Sequence, residues 1–286
     1  MASPSLQLTS YERMRRYAAA IGQTAQTSGP IAERMFGVWI AAVSDKIEAY
    51  CNRRFLSESR TEYFDVTYNR DEYWIKSPPV TTLTSVYEDS SGEWDGSQSE
   101  ISDCIYGSDG LSVILPYRLT WTARKGLRII YTGGLAASGV RSVFSVTGAS
   151  GAFTVGYYVR GGTSGALGIV RAWATPALTV EVINGVFEAA ETLTAYATAY
   201  DVDTAPSAGT TAVLASKTTT ALCEAYPGIT AAAEVEVRYM WKHQLDFETT
   251  GTNADQTTIR RGSNIRQYPL LPETMDLLNH YVVATV

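Results

Sequence analysis

The sequence predicts an α+β fold: a core of helices carrying a small antiparallel β element, interrupted by an inserted all-β domain that is sandwich- or barrel-like. Three observations predict it. Residues 1 to about 57, and again from Pro227, carry apolar side chains at helical spacing. Residues from about 60 to 135 form short β-branched or aromatic runs broken by Pro, Gly and Asp. Residues 141–222 are rich in Thr, Ala, Gly and Val and hold only four basic residues, Arg141, Arg160, Arg171 and Lys217. The predicted division is therefore a core of 1–140 and 223–286 with an inserted domain at 141–222. YTGGLAASG is the surface turn that admits the insertion.

Ser10 is placed to cap a helix through YERMRRYAAAIG, ending at Gly22. Beyond Pro30, Met35, Trp39, Val43, Ile47 and Tyr50 recur at spacings of four and three, giving a second helix with one apolar stripe. Its predicted polar face is Glu33, Arg34, Asp45, Lys46, Glu48 and Asn52. TEYFDVTY, DEYWIKS, VTTLTSVYED, SVILPY and GLRIIYTGG read as strands. Pro78–Pro79 enforces an extended entry to the third run, and SSGEWDGSQSE reads as a hairpin loop or exposed excursion.

Inside 141–222, GAFTVGYYVRGGT and GVFEAAETLTAYA align at an offset of 34 residues. Gly151, Phe153, Gly156, Val159 and Gly161 match Gly185, Phe187, Ala190, Leu193 and Ala195, the pattern of a duplicated hairpin motif. After Pro227, Ala232, Val235, Tyr239 and Met240 mark a helix with Thr230 as its cap. The last helix starts at Pro272 and carries Leu277, Leu278, Tyr281 and Val282 as an apolar patch.

Composition narrows the function. There are 23 basic and 29 acidic residues, a net charge of −6. That excess argues against a surface that grips nucleic acid, which needs clustered Lys and Arg, though not against a wall that DNA passes without sticking. Cys51, Cys104 and Cys223 form no CxxC or CxxH pair, so neither a zinc site nor a disulfide framework is expected. Neither a signal peptide nor a membrane span is visible, and a soluble protein is expected. His243 and His280, each within a helix, stand beside no recognisable nucleophile, and GxSxG and HExxH are absent. GGTSGALG and YTGGLAASG lack the GK[ST] ending of a phosphate loop and read as turns. No catalytic residue, metal ligand or cofactor is expected. Arg53–Arg54 ends a long helix, where cations suit the dipole or form a subunit salt bridge. Arg260–Arg261 contacts a partner or nothing. The 18 Tyr and 6 Trp serve either subunit contacts or ordinary packing.

Five phrases in order carry a family resemblance: AAVSDKIEAYCNRRF, TEYFDV, IKSPPVTTLTSVYED, LRIIYTGG and PGITAAAEVEVRYMWKH. Ile47, Glu48, Tyr50, Cys51, Arg53 and Phe55 carry the first, and Thr61–Asp65, Pro78–Val86 and Tyr131–Gly134 the next three. Together with the terminal LLPETMDLLNHY they resemble the head–tail connector (adaptor) proteins of tailed bacteriophages, over about 31–135 and 226–286. The insert departs from that pattern, and GAFTVGYYVRGGTSGALG resembles small β modules of phage structural proteins.

The resemblance implies a structural protein of the virion neck, assembled in the host cytoplasm, with no catalysis. It implies a homo-oligomeric ring, typically of twelve subunits, below the portal protein. Such a ring extends the DNA channel and meets a stopper or tail-completion protein, with genomic DNA passing unbound. Leu270, Leu271, Leu277, Leu278 and Tyr281 are the candidate portal-docking residues, and Tyr50, Arg53 and Arg54 the candidate subunit interface. The competing reading makes the insert a host-surface or glycan binder, and predicts outward-facing Tyr and Trp within 151–200.

Overall fold

A computed structural model of the chain describes residues 7–20, 30–96, 98–197, 209–250 and 270–282. The described chain falls into two compact units, one from Met1–Ala49 and Ser138–Tyr281, the other from Tyr50–Ala137 and Val282–Val286. These bounds differ from the composition shifts: the N-terminal helices group with the barrel region, and 50–137 stands by itself.

Helix α1 spans Tyr11–Ala20 and α2 spans Pro30–Cys51. Ser10 starts α1 as expected: its carbonyl accepts from Met14 N–H at 3.1 Å and its hydroxyl from Arg13 N–H at 3.4 Å. The α2 stripe buries Trp39, Val43 and Ile47 together with Ala32, Phe36, Ile40 and Cys51. Glu48, assigned by spacing to the polar face, is buried. It sits two turns beyond Ile40, at the margin of a stripe wider than the five-residue pattern.

The 50–137 unit contains seven strands: β1 Glu58–Val66, β2 Arg70–Trp74, β3 Val80–Glu88, β4 Ser99–Glu100, β5 Ile105–Tyr106, β6 Ser112–Leu119 and β7 Ala123–Gly133. They form a four-stranded sheet in the order β1-β7-β3-β4 and a three-stranded sheet β2-β6-β5, with all pairs antiparallel. Tyr87 pairs with Glu100 and Glu88 with Ser99, so SSGEWDGSQSE lies in a hairpin. Alternation supplies the core: Val86, Leu127, Ile129 and Tyr131 from the first sheet meet Tyr73, Val113, Leu115 and Leu119 from the second.

Residues 141–219 close into a six-stranded barrel of β8 Arg141–Thr147, β9 Tyr158–Gly161, β10 Leu167–Ala174, β11 Ala177–Asn184, β12 Thr192–Tyr196 and β13 Thr211–Thr219. Its order is β10-β11-β8-β13-β12-β9. Closure removes the open edges that a two-layer sandwich would keep. The 34-residue offset reappears in the pairing. Arg160 faces Thr194 and Phe144 faces Leu178, each pair separated by that offset across an antiparallel junction. A residue facing its own repeat in this way marks a two-fold axis. The repeated unit is therefore three strands, β8–β10 and β11–β13, and not the hairpin read from the sequence. Turn hydrogen bonds repeat as well. Gly156 N–H donates to Val170 O at 2.8 Å and Ala190 N–H to Leu214 O at 2.7 Å, with both donors at positive φ, 90° and 64°. Phe153 and Phe187, matched in sequence, are both buried in one core with Phe144 and Val180.

Helices α3 Leu222–Ala225, α4 Pro227–Thr250 and α5 Pro272–Leu278 close the chain, followed by a 3-10 turn Asn279–Tyr281. Because α4 begins at Pro227, Thr230 lies within it and does not cap it. Its buried face is Ile229, Ala232, Ala233, Glu236, Val237 and Trp241. The helices of this unit interlock: Trp241 meets Phe36 edge-on at 5.8 Å, Arg13 pairs with Glu234 at 2.7 Å, and Leu8 N–H reaches Ser44 Oγ at 3.2 Å. Arg15 donates to Tyr158 OH at 2.9 Å, so α1 also touches the barrel. Among the described residues no helix is long and apolar enough to cross a membrane.

The expected fold class is therefore corrected. Among the described residues strands take 87 against 67 in α-helices, and a closed barrel stands beside two sheets. The protein is mainly β and not a helical core with a small β element. The helical spacing was real, but the strand runs bury two independent cores of their own, each the size of a small domain's.

Candidate interaction surfaces

Phrases far apart in sequence meet at one joint in the 50–137 unit. After α2 ends, the Arg53 guanidinium donates to the Pro78 carbonyl and lies 5.8 Å from the Phe55 ring centre. Phe55 O accepts from Leu135 N–H at 2.8 Å and Ala136 N–H at 3.2 Å, and Ser57 N–H donates to Ala136 O at 2.8 Å. Gly134 N–H donates to Pro79 O at 3.1 Å. YCNRRF, PPV and YTGG are thus tied into one knot of backbone and guanidinium bonds. Gly134 is required there, because it holds φ 131° and a Cβ would overlap Leu56 O. Gly134→Ala is expected to cost at least about 1–3 kcal/mol. The measurement is the urea midpoint of the full chain, and an unchanged midpoint would refute the knot's importance.

Of the candidate interface residues, Arg53 is therefore engaged inside its own unit. Tyr50 is half-buried and Arg54 exposed. The five C-terminal candidates separate sharply. Leu270 and Leu278 are buried within the protomer, Leu271 and Tyr281 are half-buried, and Leu277 is 39% exposed. Leu271 N–H donates to Glu236 Oε1 at 2.6 Å, and Tyr281 meets Tyr226 edge-on at 6.1 Å. The segment folds onto α3 and α4, which leaves Leu277 as the outward one of the five candidates. Spacing marked the patch, but only the packing tells which of its residues are already used.

The polar clusters serve the fold. GGTSGALG is filled by a carboxylate of the chain itself: Glu191 accepts from Ser164 Oγ at 2.8 Å and from the N–H groups of Ser164 and Glu188 at 3.0 and 2.8 Å. Glu224 does the same for the barrel's end. It accepts from Lys217 Nζ at 2.7 Å, Phe187 N–H at 3.0 Å and the Ser142 hydroxyl. Neither acid was singled out by the sequence, where each looks like an isolated carboxylate. Burial pushes the Cys104 thiol to about 11 and the Cys223 thiol to about 12, away from thiolate chemistry. His280 is exposed on the terminal 3-10 turn. Among the described residues no group of three or more His, Cys, Asp and Glu is placed to hold a metal. The His243 side chain and Arg260–Arg261 lie outside the described residues.

One surface is built with unusual care. Tyr63, Arg128 and Tyr87 lie in one cross-strand row over β1, β7 and β3. The 89–96 loop folds back over that row and sets Trp94 on it. The Arg128 guanidinium then lies 4.5 Å from the Tyr87 ring centre and 4.7 Å from that of Trp94, with Tyr63 edge-on to Trp94 at 5.4 Å. Trp94 holds φ 58°, a conformation that disfavours a bulky side chain. Asp89 enforces it by accepting from Trp94 N–H at 2.7 Å and Ser91 Oγ at 2.6 Å, while Trp94 Nε1–H donates to Lys125 O at 2.9 Å. The Ser91 hydroxyl bond, with the backbone N–H groups of the loop, holds the Asp89 carboxyl below its ordinary 3.8. A carboxyl lowered on folding adds stability above its unfolded value and loses it as pH falls through the folded one. The loop is therefore expected to loosen only below the ordinary carboxylate range. The readout is an acid-induced change in tryptophan emission that a Trp94→Phe variant lacks, and a change centred near neutral pH would refute it.

Fold and surfaces define a β-rich protein of two units, one carrying a two-fold barrel and the other a joint of backbone and guanidinium bonds. No protein-family model and no curated protein matches the chain. Among solved structures it is similar to a chain of one described as "Neck of empty GTA particle computed with C6 symmetry". The TM-score is 0.32 at 15% identity, covering 43% of this chain and 66% of the other, just under two thirds of its length. At that score the likeness carries no conclusion about fold or role.

Proposed function

We propose that the protein is a structural component of a phage virion neck. Copies form a homo-oligomeric ring, of twelve subunits in the layout that the phrase resemblance implies. The ring sits below the portal protein, extends the DNA channel and presents a platform to a stopper or tail-completion protein. It has no catalytic role, and its net charge of −6 suits a wall that DNA slides past without binding.

The observation that carries this reading is the joint at Arg53, Phe55, Pro78, Pro79 and Gly134. The phrases that resemble those of connector proteins are the ones this unit uses to hold itself together, which supports the reading. The glycan-binding alternative gains no such support. Within 151–197, Tyr157, Tyr158, Trp173 and Tyr196 are all buried or half-buried, and the Trp173 ring leans on Phe153 at 5.2 Å.

Light scattering with electron microscopy of the purified chain is the direct test. Rings with a central hole support the proposal, and a strict monomer at high concentration and in virions overturns it. Portal docking is tested separately by Leu277→Asp, which leaves buried positions intact and is expected to weaken portal binding. Truncation after about residue 265 removes the whole segment, and a truncated chain still bound to portal rules out docking through it.

A further inference from the structure

The Arg128 guanidinium lies against both the Tyr87 and Trp94 rings, yet among the described residues it makes no ion pair or hydrogen bond, and its buried Nε has no partner. Buried polar atoms ordinarily find a partner, and the Arg128 Nε is an exception that calls for one. Contact with two rings restrains the guanidinium, and its N–H groups remain for a ligand. The N–H edge matches a planar carboxylate, which accepts two parallel hydrogen bonds. The strained Trp94, clamped by Asp89 and by Lys125 O, holds the group ready before any ligand arrives.

We propose that Arg128 anchors a contact between copies of this chain, its N–H edge receiving a carboxylate side chain of a second copy. This rests on the ring-forming reading above and names a surface through which it acts. The occupant follows from charge and from ring use. The chain carries 29 acidic residues, and carboxylates such as Glu33 and Asp45 on α2 are exposed, so a second copy supplies the acceptor. Residues 50–137 hold nine Lys and Arg against twelve Asp and Glu, an acid excess that opposes a phosphate backbone. The facing surfaces of Tyr87 and Trp94 are already covered by the guanidinium, which removes the stacking platform that a sugar or nucleobase needs. Tyr63, 43% exposed, forms the rim.

The test is sedimentation velocity of the full-length chain and of Arg128→Gln and Arg128→Lys over a wide concentration range, with circular dichroism confirming the fold. Arg128→Gln is expected to raise the concentration needed for association by at least about tenfold. Arg128→Lys, which keeps the charge but not the fork, is expected to fall between. Added salt is expected to weaken wild-type association more than that of Arg128→Gln. Association of Arg128→Gln equal to wild type overturns this surface while leaving the ring reading standing. A wild-type chain that stays monomeric throughout overturns both. Single-stranded DNA binding that depends on Arg128, with association unaffected, overturns it in favour of nucleic acid.

Discussion

Phe187→Ala is expected to destabilise the barrel by about 3–5 kcal/mol, the range for emptying a fully buried aromatic site. Phe187 is 1% exposed and meets Phe144 edge-to-face with ring centres 5.1 Å apart. Phe153, its counterpart in the repeat, is equally buried but leans on Trp173 instead. The two-fold axis makes a further demand: Phe153→Ala is expected to cost a similar amount. Equal losses mean that both halves of the barrel carry the core equally. A loss below about 1 kcal/mol for either would show that its site collapses without a cavity. Urea titration followed by circular dichroism reads the difference.

Glu224→Ala is expected to cost about 3–5 kcal/mol, because it strands buried donors. The Glu224 side chain has no solvent exposure, and its removal leaves Lys217, Phe187 N–H and the Ser142 hydroxyl without their acceptor. The large term is the orphaned charge, not the net worth of the pair. Glu224→Leu combined with Lys217→Leu should therefore cost less than Glu224→Ala alone. A double variant at least as unstable as the single one would show that the Phe187 and Ser142 bonds dominate.

Much of the local structure was legible in the sequence. The five strand phrases of 60–135 all form strands, because alternation of β-branched and aromatic residues is a local signal. The α2 stripe and the Ser10 cap are local in the same way. The repeat was visible where Phe153 and Phe187 share a phrase. It was faint at β8 and β11, where Val146 and Val180 are identical but Phe144 matches Leu178 only in being apolar. It was hidden again at β10 and β13 by the longer connection before Thr211. The interaction surfaces were less legible still. Trp94 and Arg128 are 34 positions apart in sequence, and nothing local announces that Asp89 bends a loop to stack one on the other.

The sequence by itself determined which segments are helix or strand, the acid excess and the repeated phrase. These are properties of composition and short-range spacing, and they survive any arrangement of the elements. Tertiary structure alone decided the balance of the fold, the closure of the barrel and the burial of Glu48, Glu191 and Glu224. It also decided which of the C-terminal apolar residues remain outward. The physical reason is the same in each case. Strand pairing and the partners of buried charges are fixed by contacts between residues far apart in the chain, and no local period encodes which strand, or which acid, will meet which neighbour.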